Sequence, residues 1–278
     1  ALPDAFAINA APGLEGASQG IFAPTLRFHD GRFWMITTSI RDLERGQLIS
    51  HAFNPAGPWS APVYVPDTPG IDPDLAWTDA GECLLTWRGF GPPGIHQVPI
   101  DPVTGERLGD QRMVWEGTGL ADTEGPHLIR RGGWWYLLVA EGGTHTGHGV
   151  SIARSRDPRG PFESHPANPI FSHRSTDHPV QAVGHPDLVQ LTDGTWAMVH
   201  LGIRQAGSFP RYHVLGRETF LVGIDWVDDW PVVVEDRFAV AGRDRSWTDR
   251  FAAAALDPRW VAPSRPAASF ARPGAGLF

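Results

Sequence analysis

The stretch GPHLIRRGGWWYLLVA, residues 125–140, joins a short apolar segment to a longer one through a pair of glycines. Two such segments, separated by glycines that accept positive φ, predict a β-hairpin. The pattern recurs as APTLRFHDGRFWMITT from residue 23, DPDLAWTDAGECLLTW from residue 72 and HPDLVQLTDGTWAMVH from residue 185. In every copy a Leu stands two residues after a Pro, and a Gly closes the turn. The repeat therefore decides the fold.

The spacing of the four copies predicts a β-propeller. Their prolines stand at positions 24, 73, 126 and 186, at intervals of 49, 53 and 60 residues. Each interval leaves room for about two further strands, and four strands in about 40–50 residues is the period of a propeller blade. A β-sandwich with coincidental turns is the alternative. We favour the propeller because all four copies share the Pro-x-Leu and Gly positions in register.

Composition limits the partners that the chain can have. The 278 residues carry a net charge of -8 without a basic patch, which argues against nucleic acid. No stretch of 18 apolar residues predicts a membrane span. The single cysteine, Cys83, excludes an internal disulfide and makes a cysteine metal site implausible. A neutral, polar partner such as a small oligosaccharide fits this charge balance.

The residues that lead into the four hairpins are the candidates for chemistry. A blade places its first strand nearest the central axis, so these residues face the axial funnel. Asp72, Glu124 and His185 hold three of these positions. Two carboxylates across a polar pocket are the minimum for glycoside hydrolysis, in which one is protonated and the other ionised. We predict that Asp72 helps to keep Glu124 protonated; a turn or capping role for Asp72 is the alternative.

A wider set of motifs resembles glycoside hydrolase family 43, and within it the β-xylosidases and α-L-arabinofuranosidases. The motifs are GIFAPTLRFHDGRFW, GIDPDLAWTDAG, TEGPHL, WWYLLVAEGGTHTGHGVSIARS, GPFESHPANPI, GHPDLVQ and LGRETFL. The resemblance implies an all-β fold, a five-bladed β-propeller that hydrolyses with inversion. We therefore expect a propeller glycosidase domain over residues 1–236, its first blade incomplete. Residues 237–278 resemble a linker and the truncated beginning of a C-terminal β-sandwich, or form an extended tail.

The resemblance also implies residue roles. Glu124 matches the general acid, and Asp72 matches the acid that tunes the pKa of the general acid and orients the sugar. Four further residues match positions that contact or line the sugar pocket: Phe22 (a Trp in the family), Thr144, His185 and Arg217. No cofactor is required by this resemblance, although in some members the His helps to hold a cation, so Ca²⁺ near His185 is the one ion to consider. Homo-oligomerisation stays open.

The general base is the point of departure from the family. It is an Asp that precedes an apolar strand in the first blade, upstream of the stretch that contains Phe22. The only acids before Ala23 are Asp4 and Glu15, and neither heads such a strand. One interpretation is that the sequence begins after the first hairpin, and the alternative is a shortened, inactive relative of the family.

 

Two interpretations of the missing base remain. In the first, the base is an Asp outside this sequence, and the protein is an exo-acting, inverting enzyme. Such an enzyme would remove terminal β-D-xylosyl or α-L-arabinofuranosyl residues from xylan-derived oligosaccharides. In the second, the chain is a non-catalytic carbohydrate-binding propeller, because without a base the attacking water is not activated. The lack of disulfides and of a visible signal peptide leads us to expect a cytoplasmic bacterial location rather than secretion.

Overall fold

A computed structural model describes residues 20–208, 211–213, 215–239, 246–257, 259–260, 267–269 and 271–273. Ile21–Ala239 form one compact unit. The described residues from 246 onwards belong to a second, smaller unit. In that unit a short 3-10 helix covers Ala267–Ser269, and the Trp260 indole donates a hydrogen bond to Asp249 at 2.8 Å.

The first unit consists of four antiparallel sheets of four strands each, and the strands follow chain order within every sheet. The first sheet contains β1 Thr25–His29, β2 Arg32–Thr37, β3 Gln47–Ala52 and β4 Val63–Val65. The second contains β5 Gly70–Trp77, β6 Cys83–Phe90, β7 Pro93–Ile100 and β8 Arg112–Trp115. The third contains β9 Glu124–Arg131, β10 Trp134–Glu141, β11 Gly149–Ser155 and β12 Glu163–Ser164. The fourth contains β13 Val180–Gln190, β14 Trp196–Arg204, β15 Glu218–Val227 and β16 Trp230–Val234.

The hairpins form where the repeat predicts them. Gly31, Gly81, Gly133 and Gly194 close the four turns with φ between 72° and 86°. A Cβ on Gly31, Gly81 or Gly194 would meet nothing within 4 Å, so these turns need the backbone conformation of glycine rather than its small size. Each hairpin supplies the first two strands of a sheet.

The four first strands surround a common axis. Their repeat leucines, Leu26, Leu75, Leu128 and Leu188, line one cavity. Radial sheets that share an axis are the architecture of a β-propeller. The all-β propeller prediction is therefore confirmed, with four described blades. The predicted five-blade count is not confirmed by these four.

Apolar layers between consecutive blades form the core. One layer packs the first sheet against the second, and includes Trp34, Ile36 and Trp87. The second joins Leu84 to Leu137, and the third joins Tyr136 in the third sheet to Val222 in the fourth. The strand β10 is buried from Trp135 to Glu141 because both of its faces are covered. None of the helices described in these ranges is long and apolar enough to cross a membrane.

Candidate active site

Asp72, Glu124 and His185 come together although they lie far apart in the sequence. One ligand atom from each side chain lies within 4.8 Å of the others. They occupy β5, β9 and β13, which are the first strands of three successive sheets. The common axis therefore brings Asp72 and His185, which directly precede their prolines, together with Glu124, which stands one residue further from its proline. We call these three residues the catalytic trio.

The local backbone explains how these side chains are aimed. Asp72, Gly125 and His185 directly precede the repeat prolines, and their φ values are 55°, 58° and 51°. At each of these places the strand pairing shifts register in a β-bulge. Bulges redirect side chains and are frequent beside active sites. Positive φ at Asp72 and His185 costs about 1–3 kcal/mol each, so the surrounding sheet must hold them in place.

Two contacts fix the trio. Asp72 is 8% exposed, and its Oδ2 accepts a hydrogen bond from the backbone N–H of Gly125 at 3.2 Å. A Cβ on Gly125 would lie 3.4 Å from the His185 ring, so the imidazole packs directly against this backbone. The residue after Glu124 is thus held by the carboxylate on one side and contacts the imidazole on the other.

The environment of Glu124 prepares it to act as an acid. Burial and the neighbouring charge of Asp72 raise the pKa of Glu124 to about 7, and Asp122 adds to the effect. Arg88 and Arg217 oppose the rise. A carboxylic acid that keeps its proton near neutral pH can donate it to a leaving oxygen.

Arg217 and His185 complete the polar surroundings. Arg217 lies just before β15, and its charge lowers the pKa of both Glu124 and His185. Burial is the larger cause of the lowered pKa of His185, which keeps the imidazole neutral at pH 7. Arg88 in β6 escaped sequence reasoning, because nothing in the repeat distinguishes it from other strand residues. Its Nη2 lies 4.0 Å from Asp122 Oδ1.

Phe22 and Thr144 have weaker structural connections to the trio. Phe22 is half-buried just before β1, and its carbonyl accepts a hydrogen bond from Thr37 Oγ1 at 2.8 Å. Thr144 is exposed in the loop between β10 and β11. In the described parts of the chain, no hydrogen bond or ion pair joins either residue to the trio.

A second set of charged groups along the axis was missed in the sequence. Arg27 Nη2 lies 2.8 Å from Asp74 Oδ1, and Arg27 Nη1 lies 2.7 Å from Asp187 Oδ2. His127 Nδ1 lies 2.9 Å from Arg27. These four residues, one from each first strand, form what we call the axial network. Asp74, His127 and Asp187 directly follow the repeat prolines, which is the signal that could have found them.

Glu141 holds the loop that leads to Glu124. It is fully buried, and its carboxylate accepts hydrogen bonds from the backbone N–H and the hydroxyl of Thr118, both at 2.8 Å. The hydroxyl of Thr123 donates to the same carboxylate at 3.0 Å. Because Thr123 directly precedes Glu124, these bonds fix the approach of the chain to the trio.

The trio is a poor fit to the Ca²⁺ ion considered near His185. Ca²⁺ takes six to eight oxygen ligands, whereas the trio offers two carboxylates and an imidazole nitrogen within 4.8 Å. Ca²⁺ near His185 stays a prediction, and no step of the reaction described below depends on it.

Comparison with known proteins places this geometry in a family. The model of "Glycosyl hydrolases family 43" matches residues 5–231. A xylosidase/arabinosidase of Butyrivibrio fibrisolvens is 42% identical over 231 residues, which are 78% of this chain and 44% of that protein. A non-reducing end alpha-L-arabinofuranosidase of Bacteroides ovatus is also 42% identical, over 82% of this chain and 43% of that protein.

Solved structures support the same family assignment. The xyloglucan-locus GH43B protein of Bacteroides ovatus superimposes with a TM-score of 0.75 at 37% identity, over 91% of this chain and 52% of that one. The xylan beta-1,4-xylosidase of Bacillus halodurans gives 0.74 at 32% identity, over 90% and 52%. The chain spans less than half the length of the two curated relatives described above. Its match to the family model over most of its length shows that the chain belongs to glycosyl hydrolases family 43.

Proposed function

We propose that the protein is an exo-acting, inverting glycosidase that removes terminal β-D-xylosyl or α-L-arabinofuranosyl residues from xylan-derived oligosaccharides. The observation that carries the proposal is the convergence of Asp72, Glu124 and His185 within 4.8 Å, where burial and Asp72 raise the pKa of Glu124 to about 7. The relatives named as xylosidase/arabinosidase and alpha-L-arabinofuranosidase support this pair of substrates.

In the proposed reaction Glu124 donates its proton to the glycosidic oxygen as the bond from that oxygen to the anomeric carbon breaks. A water attacks the anomeric carbon from the opposite face, which inverts the configuration, and a base takes a proton from the water. The charge of Asp72 keeps the proton on Glu124 until the glycosidic bond breaks. The neutral imidazole of His185 and the guanidinium of Arg217 bind sugar hydroxyls, and Phe22 and Thr144 line the pocket.

We also propose that a fifth blade supplies the base as an Asp outside this sequence. Three apolar layers join the four described sheets in succession. Among the described residues no such layer joins the fourth sheet to the first, which is the place that a fifth blade would fill. For inversion, its Asp should lie about 6.5–9.5 Å from Glu124, so that a water fits between the two carboxyl groups.

The decisive experiment uses the complete gene product with the nitrophenyl glycosides of β-D-xylose and α-L-arabinofuranose, and with xylobiose. Glu124→Gln should lower kcat on xylobiose by about 10²–10⁴-fold, the usual contribution of a general acid. The loss should be smaller for nitrophenyl substrates, whose leaving group needs less protonation. Glu44→Gln, an exposed carboxylate in the first blade, is the matched control. NMR of the first product should show the inverted anomer.

Two outcomes would count against the proposal. Unchanged kcat in Glu124→Gln would remove Glu124 from the acid role. Binding of xylobiose without hydrolysis by the complete wild-type protein would favour the carbohydrate-binding alternative.

We propose that hydrolysis needs no resident cation, because acid catalysis by Glu124 and activation of water by a carboxylate are sufficient for this reaction class. Treatment with EDTA should leave kcat on xylobiose unchanged. Loss of kcat that Ca²⁺ alone restores would show instead that an ion near His185 takes part.

A further inference from the structure

A second cluster of metal-ligating side chains shares no residue with the trio. His173, His178 and Glu235 each place one ligand atom within 4.8 Å of the others. His173 Nε2 lies 3.0 Å from Glu235 Oε2, and His178 Nε2 lies 3.8 Å from the same oxygen. The two histidines precede β13 and Glu235 directly follows β16, so the cluster joins the first and last strands of the fourth blade.

The contacts of the two Nδ1 atoms bear on where the imidazole protons lie. His173 Nδ1 is 2.7 Å from the carbonyl oxygen of Val180, and His178 Nδ1 is 3.0 Å from the same oxygen. A carbonyl oxygen only accepts, so we assign a donated proton to His173 Nδ1, which has no other hydrogen-bond partner among the described residues. The Val180 N–H donates to His178 Nδ1 at 3.2 Å, so the proton of His178 is not assigned to either nitrogen. In its neutral form His173 therefore carries a lone pair on Nε2.

The lone pair of His173 Nε2 therefore faces a carboxylate oxygen of Glu235. Two acceptors that face each other need a cation between them, either a proton or a metal ion, and His178 Nε2 lies close enough to share it. An imidazole that donates its other N–H to a backbone carbonyl is the usual arrangement of a metal-ligating histidine. Two histidines and one glutamate form a ligand set for Zn²⁺, with a fourth position left to water. Imidazole nitrogens disfavour Ca²⁺ and Mg²⁺ at such a place.

The loop that carries the histidines is held in position by its own hydrogen bonds. The buried amide of Gln181 donates to the carbonyls of Thr176 and His178, at 3.2 and 2.8 Å. The hydroxyl of Thr176 donates to the carbonyl of His173 at 2.7 Å. Both rings are thus positioned by groups that do not themselves belong to the cluster, which lowers the ordering cost of binding an ion.

We propose that His173, His178 and Glu235 bind a Zn²⁺ ion that ties the start of β13 to the end of β16. The ion is structural: its ligands come from both ends of one blade, and the proposed hydrolysis does not require it. Its effect is on the stability of the fourth blade rather than on the chemistry at Glu124.

The test begins with the complete protein stripped by EDTA and dialysed against metal-free buffer. Zn²⁺ titrated into the wild type should bind with one more equivalent than in His173→Ala or Glu235→Gln. At a concentration a hundredfold above Kd, Zn²⁺ should raise the Tm of the wild type by about 5–10 °C. Both variants should lose this shift. His51→Ala, a histidine on β3 in another blade, is the matched control and should retain it.

Three comparisons distinguish the proposed Zn²⁺ site from Zn²⁺ binding at the trio and from a proton-bridged pair. The trio is the competing place for Zn²⁺, so Asp72→Asn must keep both the Tm shift and the equivalent that His173→Ala loses. Glu235→Gln changes a half-exposed side chain and keeps its shape, so it decides the matter even where His173→Ala fails to fold. Equal Tm with and without Zn²⁺, or equal Zn²⁺ stoichiometry in wild type and Glu235→Gln, would show a proton-bridged pair and overturn the proposal.

Discussion

The catalytic trio and the axial network share carboxylates and an imidazole, but only the network contains an arginine. Both are built from carboxylates and an imidazole on the first strands, and Asp72 and Asp74 stand only two residues apart. In the axial network the Arg27 guanidinium lies between two carboxylates. In the trio, the largest effect of any charge on the pKa of Glu124 comes from the like charge of Asp72.

The pKa values follow from this difference. Although burial opposes the shift, His127 and Arg27 lower the pKa of Asp187. Burial also opposes the raised pKa of Arg27, which Asp74 and Asp187 produce. Glu124 shifts in the opposite direction from Asp187, to about 7. Charges that are neutralised by direct ion pairs join the blades, whereas a buried pair of acids that two arginines compensate only in part provides a proton donor. Substitutions in the axial network or in the catalytic trio test this comparison.

The largest effect on stability is expected from the axial network. Arg27→Met should lower the free energy of unfolding by about 3–5 kcal/mol, because Asp74, which is fully buried, would lose its cation. Urea unfolding of the variant and the wild type measures the difference. Arg204→Met, which removes an exposed partner of Glu218, should unfold almost as the wild type does. Equal stability of Arg27→Met and wild type would mean that the network does not hold the blades.

A smaller effect on stability is expected at Glu141, whose carboxylate holds the loop before Glu124. Glu141→Ala should cost about 1–3 kcal/mol of stability, because three hydrogen-bond donors would lose their buried acceptor. It should also lower kcat, since the loop before Glu124 loosens. Glu141→Gln, which keeps one acceptor oxygen and the shape, should restore most of both. A variant Glu141→Ala that is as stable as the wild type yet loses kcat would reveal a direct chemical role instead.

The smallest effect is a displacement of the pH profile. Glu124 must be protonated to act, so kcat/KM should fall as the pH rises through about 7, the pKa of Glu124. Asp72→Asn removes a charge that raises this pKa, so the alkaline limb should move to lower pH, by about one unit or less. Asp110→Asn, an exposed carboxylate in the same blade, should leave the limb in place. An unmoved limb in Asp72→Asn would remove Asp72 from the causes of the raised pKa.

The repeat made most of the fold predictable. Pro, Leu and Gly at fixed places are local signals, and they specify strands and turns without knowledge of distant residues. The convergence of Asp72, Glu124 and His185 was also predictable, because the residues that lead into the first strands of a radial repeat meet at the axis. The axial network could not be predicted in this way, since the pairing of Arg27 with Asp74 and Asp187 depends on distances between blades. Arg88 carries no local signal at all.

The backbone at Asp72 and His185 escaped prediction for another reason. A residue before proline normally takes an extended conformation, whereas φ is 55° and 51° here. Only the bulged pairing of the surrounding strands imposes these values, and pairing register is not readable from residues 72 or 185 alone.

Those two positive φ values have a practical consequence for anyone who engineers this chain. Glycine adopts such a conformation freely, so selection for heat resistance alone would favour exchanging the acid and the imidazole for glycine. Thermal stability and catalytic activity therefore place opposite demands on these positions. A mutant library that is screened for stability without a sugar substrate would be enriched in stable but inactive variants.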